Sequence, residues 1–328
     1  MNTRKTKTSA KREAKPRQDP SAKPHRGSTN QSTKTGEPVL THLEKIFWKE
    51  SGLTKGDLIR YYEEISPVLL PHLKMRPETL LRYPSGVEGD HFYQRNLDAA
   101  APEWLSSCIV VHEGKEHRYL VVNTLEDLLY AINLGCVDLH PWSCSVDHWD
   151  APDYMVLDLD PEKIAFKAVV EVAQAFHDLL EPLGIPHVCK TSGATGLHIY
   201  LPLERLYTYA QSREMARHLC EQVHQRLPKI TTLERSLAKR AGTVYLDYVQ
   251  NSFSHSLAAV YCVRPRPGAP VSTPLHWEEV RSDLNPLSWT METTPARIRS
   301  EGDLFAPVLQ HGKDLHKLLK KLECPETK

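Results

Sequence analysis

Two aspartates one residue apart, Asp158 and Asp160, close a short apolar run, Tyr154-Met-Val-Leu-Asp158. Side chains alternate along a strand, so positions i and i+2 face the same way. Two carboxylates on one face repel unless a cation stands between them. Two-metal phosphoryl transfer uses such a pair to hold hard Mg²⁺ or Mn²⁺ ions. The same pattern also suits a solvated strand end, and Asp-x-Asp is common in a chain this acidic. Asp247, in Val244-Tyr-Leu-Asp-Tyr248, is a third acid inside a strand-like run. It draws interest because two metals generally share more than two acids.

A second segment, Thr191-Ser-Gly-Ala-Thr-Gly-Leu-His198, carries anion chemistry. Gly193 and Gly196 let the backbone approach a ligand closely and offer N–H groups to an anion. Ser192 and Thr195 add hydroxyls, and His198 can donate to a phosphate oxygen. An ordinary hairpin with a core histidine fits the same residues. The spacing is not that of a P-loop, and no Lys-Ser/Thr follows. Arg264-Pro-Arg-Pro-Gly268 places Arg264 and Arg266 on a stiffened segment, where guanidinium forks suit phosphate, though a plain basic loop reads alike. His112-Glu113 followed by His117 is off the zincin spacing, contains Gly114 and sits between strands, so it is rejected as a zinc site.

The elements that must position these residues follow from periodicity. Thr54 opens a helix carrying Leu58, Tyr61, Tyr62, Ile65 and Leu69 at spacings of three and four. Residues 78–95 predict strand, turn and strand around Pro84-Ser-Gly86. Further strands are expected at Cys108–His112 and Tyr119–Val122. Thr124 caps a helix through Leu134, with Gly135 past its end. After the strand at 154–158 come a helix from Ile164 to Leu183, strands at His187–Lys190 and Leu197–Leu201, and a helix at Tyr209–Leu227. Strands at Val244–Tyr248 and Leu257–Val263 follow, and an amphipathic helix, Lys313–Leu322, closes the chain. The expected fold class is α+β, one catalytic domain with mixed or antiparallel sheets and flanking helices.

At 328 residues and 40% hydrophobic, the chain can bury a sizeable core, which excludes whole-chain disorder. No apolar run reaches membrane-spanning length and no apolar stretch follows the basic N-terminus, so neither a membrane span nor a secretory signal is expected. Seven scattered cysteines without a CxxC pair fit a reducing cytosol, and a cytoplasmic, nucleoid-associated location is expected. The zero net charge hides an asymmetry. Residues 1–36 hold ten Lys/Arg and two acids, a charge of +8, and the remainder carries −8. We read residues 1–38 as a disordered basic tail and 39–328 as the catalytic domain. Such an arm suits nucleic acid, and suits a solubilising leader equally.

Taken in order, the motifs resemble the polymerase domain of bacterial ligase D, of the archaeo-eukaryotic primase superfamily, which works in non-homologous end joining. The resemblance runs from about Leu43 to Leu322. It rests on Gly-Leu-Thr-Lys-Gly-Asp57, Phe-Tyr-Gln-Arg95, Leu-His-Pro-Trp142, Leu-Asp-Leu-Asp-Pro161, the Gly-rich segment to His198, Leu-Asp-Tyr248, Val-Arg-Pro-Arg-Pro-Gly-Ala-Pro270 and Thr-Pro-Leu275. A stand-alone polymerase domain, without the ligase and nuclease domains of the fused enzymes, is expected.

The resemblance implies a template-directed nucleotidyltransferase that extends primers and fills gaps with NTPs or dNTPs, favouring ribonucleotides. It implies that Asp158, Asp160 and Asp247 bind two Mn²⁺ or Mg²⁺ ions, with His140 beside the centre. Ser192, Gly193, Gly196, His198, Arg264 and Arg266 would hold the triphosphate. Lys45 and Lys55 would grip a downstream 5′-phosphate, and Phe92 and Tyr93, with Arg82 and Arg95, would meet the DNA end. Expected partners are DNA ends and gaps, Ku and a separate DNA ligase. No Cys/His cluster matches the zinc module of replicative primases, so no zinc is expected. Two positions depart from the family pattern: Gln250 where Arg is frequent, and Thr195 where Lys is frequent. Two other readings stay open, a primase-polymerase for excision-repair gaps or priming, and a non-catalytic end-bridging module.

Overall fold

The computed structural model of the protein describes residues 29–30, 36–112, 114–310, 312 and 314–315. The expected basic tail therefore lies mostly outside the described residues, as does nearly all of the expected C-terminal helix. Among the described residues, no helix is long and apolar enough to cross a membrane.

The N-terminal half builds one sheet. Strand β1 (Thr29–Asn30) precedes a small hairpin, β2 (Ile46–Trp48) and β3 (Leu53–Thr54), which leads into α1 (Lys55–Leu73). Then follow β4 (Pro77–Arg82), β5 (Phe92–Gln94), β6 (Ser107–His112), β7 (Lys115–Val121), α2 (Leu125–Asn133) and β8 (Cys136–Pro141). The sheet order is β1-β6-β7-β4-β5, with β8 on the other edge of β4. Both helices begin where the sequence says they should. Thr54 and Thr124 each accept from the backbone N–H three residues on, while Asp57 and Asp127 accept from the cap's own N–H, closing a capping box. Leu58, Tyr62, Ile65 and Leu69 of α1 pack with Leu128 and Ile132 of α2 in one core.

The C-terminal half builds the second sheet: β9 (Tyr154–Glu162), α3 (Phe166–Leu180), β10 (Val188–Thr191), β11 (Leu197–Pro202), α4 (Tyr209–Arg226), β12 (Thr231–Thr232), β13 (Thr243–Asp247), β14 (Pro274–Leu275) and the short α5 (Thr294–Glu301). Its order is β12-β13-β9-β11-β10-β14, antiparallel except for β12–β13. The pleat sorts the residues. Met155, Leu157 and Leu159 of β9, Ile199 and Leu201 of β11, and Val244 and Leu246 of β13 pack on α3 and α4. Their alternates, Asp158, Asp160, His198, Tyr245 and Asp247, occupy the opposite face.

Three expectations change. The strand expected at Leu257–Val263 is not formed. Tyr261 takes a left-handed φ of +58°, which no regular strand admits, and the segment crosses between sheets instead. Its bonds run from Ala259 N to Leu139 O (2.8 Å) and from Tyr261 N to Ser272 O (2.7 Å). The helix expected to reach Leu183 stops at Leu180, and a 3₁₀ turn over Glu181–Leu183 ends at the left-handed Gly184. Strand β8, absent from the sequence reading, fills the stretch after Gly135.

Candidate active site

The three carboxylates share the open face of the second sheet, on two neighbouring strands, although their oxygens do not all lie within 4.8 Å of one another. In the strand register, Asp247 of β13 stands directly opposite Asp158 of β9, and Asp160 follows one pleat along, opposite Tyr245. Asp158 is buried and Asp160 exposed, so the row runs from the interior to the surface. Tyr245 donates its hydroxyl to Asp247 Oδ1 (3.2 Å). Strand β13 ends at Asp247, and Asn251 takes over its pairing. The Asn251 side chain accepts from Val156 N (2.8 Å) and donates to Val156 O (2.7 Å), as a strand residue would, two positions before Asp158.

The row continues on the far side of Asp158. His198 of β11 pairs with Asp158, and Lys190 of β10 pairs with His198. Asp247, Asp158, His198 and Lys190 thus form a line across four strands. His198 Nε2 lies 3.5 Å from Asp158 Oδ1. Lys190 is wholly buried, with Nζ over the Tyr200 ring at 5.5 Å. Nζ donates to Ala258 O (3.2 Å) and to Ser272 Oγ (2.6 Å), whose own proton goes to Thr191 O. Its remaining position faces His198 Nδ1 at 3.0 Å. As an ammonium Lys190 donates there; as an amine it accepts from Nδ1–H. Either way one proton lies between the two, and Nε2 is turned to Asp158. Burial, reinforced by the charge of Arg264, lowers the Lys190 pKa to about 7.

A second buried group ties the two halves together. Asp138 of β8, fully buried, places Oδ2 2.9 Å from Arg264 Nε and 3.1 Å from His140 Nε2, and Cys262 Sγ approaches its Oδ1 at 3.3 Å. Burial raises the Asp138 pKa, but the charges of Arg264 and His140 outweigh it and hold the carboxyl below its usual range. Arg264 also donates to Ser192 O (2.6 Å), which docks the Gly-rich turn on this ion pair. Arg266 is exposed.

Within that turn the two glycines answer to packing. A Cβ on Gly193, where φ is +67°, would stand 2.5 Å from Arg264 Cγ, and one on Gly196 would stand 2.4 Å from Leu159 O. The Gly196 N–H, expected to face an anion, donates instead to Ser192 Oγ (3.0 Å), as does Ala194 N–H (3.1 Å). Ser192 Oγ accepts both, so its own proton is directed elsewhere. Gln250 is buried and donates to Ser256 O (3.1 Å); Thr195 is exposed.

The residues expected to meet DNA gather around the first sheet. Phe92 and Tyr93 are exposed at 46% and 58%, on a short strand, and the Tyr93 ring meets His140 edge-on at 5.8 Å. Two large rings so exposed next to a site residue are available for stacking. Arg82 lies over the Phe92 ring at 5.1 Å and donates to Leu134 O and Gln94 Oε1, so it braces this strand; Arg95 is exposed. The β2–β3 turn brings Lys45 and Lys55 side by side, with Lys55 N bonded to Lys45 O (2.8 Å). Lys45 Nζ reaches Pro84 O, and the buried Lys55 Nζ donates to Thr41 O (2.6 Å) and Asn133 Oδ1 (2.7 Å). Burial, and then the adjacent Lys45 charge, lowers the proton affinity of Lys55.

Sequence reasoning did not single out Lys190, Asp138 or Asn251. Signals existed for the first two. Lys190 immediately precedes the Gly-rich segment, and Val137-Asp-Leu-His140 alternates as a half-buried strand does.

A nearly antiparallel sheet, helices on one face and acids on the other, is an architecture that fits a domain of the primase-polymerase class. It is similar to the polymerase domain from Mycobacterium tuberculosis ligase D in complex with DNA, with a TM-score of 0.78 and 28% identity, covering 84% of this chain and 99% of that one. The LigD primase-polymerase domain family matches residues 54–305, and the chain belongs to that family. Among relatives, the bifunctional non-homologous end joining protein LigD of Bacillus subtilis is 32% identical over 291 residues, 86% of this chain and 47% of the relative. The multifunctional LigD of Mycolicibacterium smegmatis is 30% identical over 272 residues, 82% of this chain and 36% of the relative. The chain spans less than half the length of either.

Proposed function

We propose that this chain is a template-directed nucleotidyltransferase that extends a primer 3′-hydroxyl across gaps and ends during DNA break repair by non-homologous end joining. The reading is carried by the register of Asp247, Asp158 and His198 on three adjacent strands, together with the Asp138-anchored Arg264 bonded to the Gly-rich turn. The family membership and the DNA-bound structural relative support it.

Three carboxylates on neighbouring strands make an all-oxygen donor set, which fits Mg²⁺ or Mn²⁺. Asp158, Asp160 and Asp247 would hold the ions, which when bound supply charge neutralisation for phosphoryl oxygens and a lowered proton affinity for the attacking hydroxyl. The remaining roles belong to the chain itself. His198 presents Nε2, Ser192 its hydroxyl proton and Arg264 its guanidinium to the triphosphate, each pre-set by Lys190, the Gly-rich turn or Asp138. Arg266, exposed beyond them, adds long-range attraction. Phe92 and Tyr93 stack against the DNA end, and Lys45 with Lys55 favours a dianionic 5′-phosphate. Ribonucleotide preference, and Ku and a separate ligase as partners, belong to the same reading.

The test is primer extension on a gapped duplex, comparing NTPs with dNTPs, Mn²⁺ with Mg²⁺, and a 5′-phosphate with a 5′-hydroxyl. Metal-dependent, template-matched addition is expected, stronger with the 5′-phosphate. Binding without addition under every condition would establish an end-bridging module instead.

A further inference from the structure

A cluster of metal-ligating side chains stands apart from the carboxylates. His177 lies in the last turn of α3, Glu181 four residues on in the 3₁₀ turn, and His187 just before β10. Positions i and i+4 share a helix face, and the chain turns at Gly184 to bring His187 back across it. Among the described residues, these three are the one trio of His, Cys, Asp or Glu whose ligand atoms all lie within 4.8 Å of one another. His177 Nδ1 and His187 Nε2 are 2.8 Å apart.

The surroundings pre-set these donors. His187 Nδ1 lies 2.7 Å from Ile185 O. A carbonyl only accepts, so Nδ1 carries the proton and Nε2 directs its lone pair at His177. Metal-bound histidines are oriented in this way, with the second ring nitrogen donating to a carbonyl. Trp277 stacks on the His177 ring at 4.3 Å and 14°, packs on the His187 ring at 5.0 Å, and donates Nε1 to the backbone His187 O (3.3 Å). His187 is 9% exposed, His177 half-buried and Glu181 exposed, so the site is walled on one side and open to water on the other.

We propose that His177, Glu181 and His187 bind one divalent transition-metal ion of the zinc class, with water completing the coordination. Two imidazole nitrogens and one carboxylate suit Zn²⁺ or Co²⁺ and not the hard ions of an all-oxygen set. The expectation of no zinc rested on Cys/His modules and did not address this His/Glu trio. The ion would pin the end of α3 to β10, the strand that carries Lys190, and to the Trp277 segment. It would therefore act on stability, not as a reactant. The competing arrangement is a plain His177–His187 hydrogen bond, in which Glu181 has no part.

The probe is Co²⁺ added to the chelator-treated full chain, read by visible absorption and displaced by Zn²⁺, with thermal melts alongside. One equivalent with a nitrogen-ligated, four- or five-coordinate spectrum is expected, retained in excess Mg²⁺ and in Asp158→Ala. His177→Phe should abolish it, and Glu181→Gln, an exposed and conservative change, should weaken it by about tenfold or more. Zn²⁺ should raise the melting temperature of the wild type and not of His177→Phe, while primer extension in Mg²⁺ stays the same in both. A wild type lacking that spectrum, or a Glu181→Gln variant that binds Co²⁺ as tightly as wild type, would overturn the assignment.

Discussion

Lys190 Nζ stands 3.0 Å from His198 Nδ1, on neighbouring strands, and His198 in turn pairs with Asp158. A buried lysine thus sets which edge of a histidine faces the acids. Lys190→Met keeps the volume and removes the donor. We expect nucleotide use to fall by about tenfold or more, the loss of one charge-assisted hydrogen bond, with the rise mainly in the apparent nucleotide KM. An unchanged KM would reduce Lys190 to a packing residue.

The same lysine makes a pH statement. Its folded pKa is lowered from 10.5 to about 7. Between these values the unfolded chain binds more protons than the folded one, so this group makes stability rise with pH, and its penalty is fully present below about 7. Wild type should gain on the order of 1–2 kcal/mol relative to Lys190→Met between about pH 7 and pH 9. Denaturant melts at the two pH values measure this, and parallel curves for the two proteins would contradict it.

Asp138 holds Arg264 and His140 at once. Asp138→Asn leaves the Arg264 charge with less compensation, a change that costs about 3–5 kcal/mol when a buried pair is broken. We expect a lower melting temperature and weakened nucleotide use together. Because the folded carboxyl pKa is lowered, its stabilisation is present above the unfolded value and is lost as pH falls through the folded one. The variant should therefore show a shallower acid limb. An acid limb identical to wild type would remove the ion pair from the account.

Gly196 is fixed by the backbone of β9, since an added Cβ would stand 2.4 Å from Leu159 O, between Asp158 and Asp160. Gly196→Ala should cost about 1–3 kcal/mol, the usual price of overpacking, and should reduce extension by displacing the acids. Full activity with wild-type stability would show that the turn yields freely.

Lys45 and Lys55 flank one hairpin, where burial and then the Lys45 charge lower the proton affinity of Lys55. A dianionic phosphate between them relieves this. The double variant Lys45→Ala/Lys55→Ala should lose the preference for a 5′-phosphorylated gap and still extend a simple primer–template. Retention of the full preference would leave both lysines with structural roles only.

What the sequence made legible was whatever alternation or capping writes locally. The run 154–158, the helix periods after it and the capping threonines at 54 and 124 placed the acids and the helix starts. What it hid were residues whose meaning is non-local. A lysine is almost never fully buried, so Lys190 reads as surface until Ala258 and Ser272 are brought to it from some 70 and 80 residues away. Leu257–Val263 reads as a strand because its apolar content is high, yet the left-handed Tyr261 turns it into a crossing segment. Gly196 reads as an anion-binding glycine, and only the register with Leu159 reveals its packing role.

The central claim is that Asp158 and Asp160 perform chemistry and do not merely end a strand. It is tested most directly by assaying Asp158→Ala and Asp160→Ala for primer extension and, on the same preparations, for binding to gapped DNA. We expect extension to be abolished in both with binding largely intact, because each change removes a carboxylate from the face of the sheet opposite the helices and leaves the apolar alternates Leu157 and Leu159 in place. Near-normal extension by both variants would contradict the assignment of the site.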